Sequence, residues 1–191
     1  MLKSRFEWII LLIIAAMLGG AWIVVSREPV TPEAGPITLT EAPIVGHLAP
    51  DFTLQTPLGE QVALSEIMQT AAAGGQPVVL NFWASWCAPC RVEMPHLQQA
   101  SVKYNGRAAI IGVNQGESAR TVTDFAAEQG VTYPLLVDSD MTINQLYDVR
   151  GLPTTLFIDA EGVVREVVIG TVTQAVLEDR VESLLAEVGE Q

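Results

Sequence analysis

The only two cysteines of this 191-residue chain sit together in Trp86-Cys87-Ala88-Pro89-Cys90. An apolar run, Val78-Val79-Leu80-Asn81-Phe82-Trp83, precedes them and reads as a short buried strand. The residues after Cys90, Arg91-Val92-Glu93-Met94-Pro95-His96-Leu97, read as helix. Strand, tight turn and helix in this order put Cys87 at a helix N-terminus, where unpaired N–H groups and the helix dipole favour an anion. The thiolate is the form of cysteine that attacks disulfides. Cys90 is within reach to close a disulfide or to resolve a mixed one. A bridge closing so short a loop restrains the unfolded chain only modestly. Two cysteines also cannot build a multi-bridge secreted scaffold. The pattern therefore predicts dithiol–disulfide exchange rather than stabilisation.

The N-terminal segment predicts export of the chain that follows it. Trp8 to Val25 is 18 residues without a charge. As a helix it spans roughly 27 Å, close to the thickness of a bilayer core. Lys3 and Arg5 precede it, which by the positive-inside rule leaves the N-terminus in the cytoplasm and the rest of the chain outside. A cleaved signal peptide, with Gly19 and Ala21 near the cut, is the rival reading. The apolar run continues through Trp22-Ile23-Val24-Val25, which favours a retained anchor. Pro29, Pro32, Pro36 and Pro43 then mark a semi-extended tether. The expected organisation is a cytoplasmic N-terminus over 1–7, a transmembrane anchor over 8–25, a tether over 26–44 and one folded domain over 45–191. Net charge is −12, and beyond residue 26 there are 8 basic against 21 acidic residues, a net of −13. Such a surface repels nucleic acid, and no basic patch or RNA-binding signature is present.

Within the domain, Gly46 to Leu54 and Leu58 to Leu64 read as two short strands around a glycine turn. Ser65-Glu66-Ile67-Met68 starts a short helix, and Gly74-Gly75-Gln76-Pro77 ends it. After the cysteine helix, which runs to about Lys103, come a buried strand over Ala108 to Val113 and a helix over Ser118 to Gln129. A short strand over Pro134 to Val137 and a helix over Met141 to Tyr147 follow. Thr154 to Ile158 and Val163 to Ile169 look like paired strands, and Thr173 to about Val188 is an amphipathic helix. Alternating strands and helices that end in a hairpin and a helix predict an α/β domain whose mixed sheet is covered on both faces.

With Ala49-Pro50-Asp51-Phe52, Asn81 to Cys90, Arg91-Val92-Glu93-Met94-Pro95 and Gly151-Leu152-Pro153-Thr154-Thr155 in view, the chain from about Val45 to Ala186 resembles the TlpA/ResA-type branch of the thioredoxin superfamily. The resemblance implies a thioredoxin-like three-layer sandwich with an N-terminal β-hairpin extension and a central helix and strand insertion near Ser118 to Val137. It implies a membrane-tethered, extracytoplasmic thiol–disulfide oxidoreductase, often a reductant, on the periplasmic or extracellular face of a prokaryotic membrane. Some members serve cytochrome c maturation. No cofactor is implied beyond a redox-active Cys87–Cys90 disulfide. The implied partners are a disulfide-bearing exported protein, such as an apocytochrome c, and a CcdA-like membrane thiol transporter as electron donor.

By the same likeness Cys87 is the attacking thiolate, Cys90 the resolving one, and Trp86 a cover over the site. Pro153 matches the family's cis-proline and turns the Leu152 backbone toward an incoming substrate chain. Glu93, one helical turn after Cys90, matches a glutamate that tunes the cysteine pKa; a plain solvated helix charge is its bland reading. Asn81 stands where many thioredoxins bury an aspartate, and an amide is no general base, which shifts proton handling to Glu93. His47 and His96 form no zinc spacing with the cysteines. No histidine follows Cys90, so covalent haem attachment is excluded by motif. Two alternatives are a peroxiredoxin-like peroxide reductase, from the Ala-Pro-Asp-Phe opening, and a Cu(I) chaperone, from the two soft sulfurs.

Overall fold

A computed structural model describes residues 8–10, 12, 13, 17, 40–69 and 75–189. The chain divides into two units, Met1–Thr38 and Leu39–Gln191. Of the first, Trp8, Ile9, Ile10, Leu12, Ile13 and Met17 are helical and largely exposed. The expected anchor and tether lie mostly outside the described residues, among which no helix is long and apolar enough to cross a membrane.

The second unit carries the fold. In chain order it holds β1 (Thr53–Gln55), β2 (Gln61–Ala63), α1 (Leu64–Gln69), β3 (Val78–Trp83), α2 (Ala88–Lys103), β4 (Ala109–Gln115) and α3 (Ala119–Gln129). There follow β5 (Leu135–Asp138), α4 (Thr142–Leu146), β6 (Thr154–Ile158), β7 (Val164–Ile169) and α5 (Gln174–Gly189). The strands form one mixed sheet in the order β2-β1-β5-β4-β3-β6-β7. β3, β4 and β5 run parallel, while β6, β7 and the β1–β2 hairpin are antiparallel to their neighbours. This is the thioredoxin-like α/β architecture, with a hairpin extension at one edge.

β3 is buried at all six positions, as a central strand covered on both faces must be. Its side chains alternate between two cores. Val79 and Trp83 join Met94 and Leu97 of α2, Phe125 of α3 and Leu177 and Val181 of α5. Val78, Leu80 and Phe82 join Phe52, Leu64 of α1, Ile143 of α4 and Tyr147. Gly112 on β4 makes room for Trp83, since a Cβ there would lie 2.9 Å from the indole nitrogen and 2.6 Å from Leu135.

α3 begins at the Ser118 cap, whose hydroxyl accepts from the Thr121 N–H at 3.2 Å, and ends at Gly130 with φ 67°. The hairpin is shorter than the sequence suggests. Gly46 to Ala49 instead pairs across the domain with Gly162 to Val164. Thr40 and Ala42 bond to Leu48, so the ordered pairing begins upstream of residue 45.

Candidate active site

The C-terminal end of β3 delivers the chain into the turn Ala84-Ser85-Trp86, and Cys87 then caps α2. Cys87 keeps extended backbone angles (φ −82°, ψ 102°), and its sulfur accepts from the Cys90 N–H at 3.2 Å. One N-terminal N–H of the helix thus faces the Cys87 sulfur, in line with the order of elements. Pro89 stands in the first turn, where its missing N–H costs no helical bond. Cys87 and Cys90 are joined as a disulfide. Their surroundings differ: Cys87 is 4% exposed and Cys90 fully buried.

Beside the disulfide lies a shallow concavity of about 510 Å³. Trp86, Cys87, Pro89, Gln115, Val149 and Leu152 are among the residues that line it. Trp86 lines the concavity and is itself 68% exposed. The Leu152–Pro153 peptide bond is cis. The Pro153 carbonyl accepts from the Gly170 N–H at 2.8 Å, and the Thr154 hydroxyl donates to the Gly151 carbonyl at 2.7 Å. Trp86, Cys87 and Leu152 therefore share one surface, and Pro153, next in the chain after Leu152, is buried. A larger groove of about 770 Å³ lies at the opposite end of the sheet, lined by Val62, Val102, Ile110 and Pro134 among others. It holds no cysteine, histidine or cis-proline.

Glu93 sits on the buried face of α2, one turn after Cys90, and is 1% exposed. It is no solvated helix charge. The Asn81 amide donates to Oε1 at 2.7 Å and the Val172 N–H to Oε2 at 2.9 Å. The same Asn81 amide donates to the Thr155 hydroxyl at 2.9 Å. Burial raises the Glu93 pKa from 4.5 to about 7, against the two donors, which lower it. Burial also raises the Tyr133 phenol, and the Glu93 carboxylate adds to that rise. His96, one turn further along α2, meets the Val172 carbonyl through Nδ1 at 3.2 Å. Glu93 and His96 together pin the β7–α5 connection to the cysteine helix. His47 lies elsewhere, its Nδ1 3.4 Å from the Val45 carbonyl. Among the described residues no group of three or more His, Cys, Asp or Glu is placed to hold a metal ion.

Sequence reading assigned no contact or role to Ser85, Glu117, Thr155 or Val172. Ser85 and Glu117 are 32 positions apart, and Glu93 and Val172 are 79 apart. No local signal reports contacts of that span.

The AhpC/TSA family profile matches residues 45–167. The chain is 37% identical over 135 residues to thiol-disulfide oxidoreductase ResA of Bacillus subtilis, covering 70% of this chain and 72% of that protein. It is 37% identical over 140 residues to the thioredoxin-like protein YneN of the same organism, covering 72% and 78%. Its fold matches the crystal structure of a candidate thiol:disulfide interchange protein DsbE from Chlorobium tepidum. There the TM-score is 0.67 and the identity 31%, over 74% of this chain and 98% of that one.

Proposed function

Because this chain belongs to the AhpC/TSA family and is a thiol–disulfide oxidoreductase of the ResA type, we propose that it reduces disulfides of exported proteins by a mixed-disulfide mechanism centred on Cys87. The observation that carries this reading is the asymmetry of the pair. Cys87 lines the concavity and caps the α2 N-terminus, while Cys90 is fully buried and is not part of that lining.

In the reduced protein the Cys87 thiolate attacks one sulfur of a substrate disulfide. A Cys87–substrate S–S bond forms, and the second substrate sulfur leaves as a thiolate and takes a proton. The Cys90 thiolate then attacks Cys87 sulfur, the first substrate sulfur leaves, and the Cys87–Cys90 disulfide closes. Two electrons pass from the protein to the substrate. Glu93, titrating near neutrality one turn from Cys90, accepts the proton that Cys90 must lose. Trp86, Leu152 and Pro153 receive the substrate chain. A dithiol on a membrane transporter of CcdA-like type restores the reduced state. The N-terminal apolar segment holds the domain at the outer face of the membrane, and an apocytochrome c haem-site disulfide is a fitting substrate. Nothing in the site favours the peroxide-reductase or Cu(I) alternatives: both sulfurs are joined within one helical turn, and the ResA relatives are named thiol-disulfide oxidoreductases.

The test is a trap. Cys90→Ser is expected to accumulate a covalent adduct with a peptide disulfide, seen by mass spectrometry, whereas Cys87→Ser accumulates none. Adduct formation by Cys87→Ser, or by neither variant, would reverse or remove these roles.

A further inference from the structure

Ser85, two residues before Cys87, is held by side chains from two directions. Its N–H donates to Glu117 Oε2 at 2.8 Å and its hydroxyl to Glu117 Oε1 at 2.5 Å. Its carbonyl accepts from the Arg91 Nε at 3.0 Å. Glu117 is itself fixed: the Asn114 amide donates to Oε2 at 2.7 Å, and the Glu117 N–H donates back to Asn114 Oδ1 at 3.2 Å. Asn114 is fully buried in β4. Arg91 lies over the Phe125 ring, 4.8 Å from its centroid, and pairs with Glu128 at 3.3 Å, both on α3. Phe125 in turn stacks on Trp83 at 5.0 Å. The β4–α3 connection and α3 thus grip the turn that presents Trp86 and Cys87. Gln115, the last residue of β4, lines the concavity together with Trp86.

We propose that Glu117 is a positioning residue for disulfide exchange, acting through Ser85 to fix the turn that carries Trp86 and Cys87. This rests on the function proposed above. In-line attack of sulfur on a disulfide is demanding in orientation, and misplacing the attacking group by about 1 Å costs up to a hundredfold in rate. An unbraced Ser85 would leave its N–H and hydroxyl to water and let the turn sample other orientations. The proposal also gives the segment following β4 a task at the site: it braces the cysteine turn from the side.

Glutamine separates bonding from charge. Its oxygen can replace Oε2, accepting from Ser85 and Asn114, and its NH₂ can replace Oε1, donating to the Ser85 hydroxyl. Second-order rate constants for reduced protein with a peptide disulfide are measured below each variant's melting transition. Glu117→Ala is expected to lose roughly tenfold to a hundredfold, and Glu117→Gln to recover most of that loss. Ser85→Ala, which removes one contact, is expected to lose about threefold and keeps the test decisive if Glu117→Ala does not fold. A purely structural role would lower the melting temperature and leave the rate constant of the folded protein unchanged. The proposal is overturned if Glu117→Ala or Ser85→Ala exchanges at the wild-type rate, or if Glu117→Gln is as slow as Glu117→Ala. A wild-type protein that fails to exchange would instead overturn the proposed function.

Discussion

At the disulfide end of the sheet, Glu93 is buried with an amide and one backbone N–H as donors, and among the described residues no cation pairs with it. At the other end, where β6 turns into β7, Asp159 is fully buried as well. It accepts the N–H groups of Glu161 at 3.0 Å and Val163 at 2.8 Å, and it pairs with the Arg165 guanidinium at 2.5 Å. The two carboxyls share burial and backbone donors and differ in the cation. With a guanidinium present, a buried carboxylate serves as a staple for a turn. Without one, desolvation dominates and the group holds its proton to about pH 7, which suits it to moving a proton at a redox site.

The comparison breaks most readily on pH. A carboxyl whose pKa rises from 4.5 to about 7 on folding stabilises the protein fully at pH values below the unfolded value. That stabilisation is lost as pH climbs through the folded value, because the native state then keeps a proton the unfolded chain has given up. Wild-type unfolding free energy is expected to fall by about 3 kcal/mol between pH 4.5 and 7 on this account. Glu93→Gln should flatten that segment in urea titrations; an unchanged slope would place the titration elsewhere. Asp159→Asn is expected to cost about 2 kcal/mol, because Arg165 is half exposed and keeps part of its hydration. Its exchange rate should match wild type, and a variant that exchanged slowly would tie the β6–β7 turn to the chemistry. The smallest effect belongs to Asn81→Ser. The Asn81 amide lowers the Glu93 pKa, so its loss should move the Glu93 midpoint above 7, by on the order of one pH unit. A downward shift would mean that Asn81 favours the protonated form.

Much of this was legible in the chain. The apolar Val78–Trp83 run, the Cys-x-x-Cys turn, the α2 helix and the helix that ends before Gly130 stand where periodicity and turn chemistry put them. These signals are local. The pairing of Gly46–Ala49 with Gly162–Val164 is not, and it shortened the expected first strand to Thr53–Gln55. Helical spacing puts Glu93 one turn after Cys90 on α2, but its burial depends on Val172 and Asn81 reaching it from distant strands and connections. The Glu117 grip on Ser85 has no sequence signature, since a lone acidic residue before a helix reads as a solvated charge.

The central claim is that Cys87 is the attacking sulfur, and partial alkylation of the reduced protein tests it most directly. Brief treatment with iodoacetamide followed by peptide mass mapping should find the adduct on Cys87 with Cys90 unmodified. Equal labelling of the two sulfurs, or labelling confined to Cys90, would contradict the account.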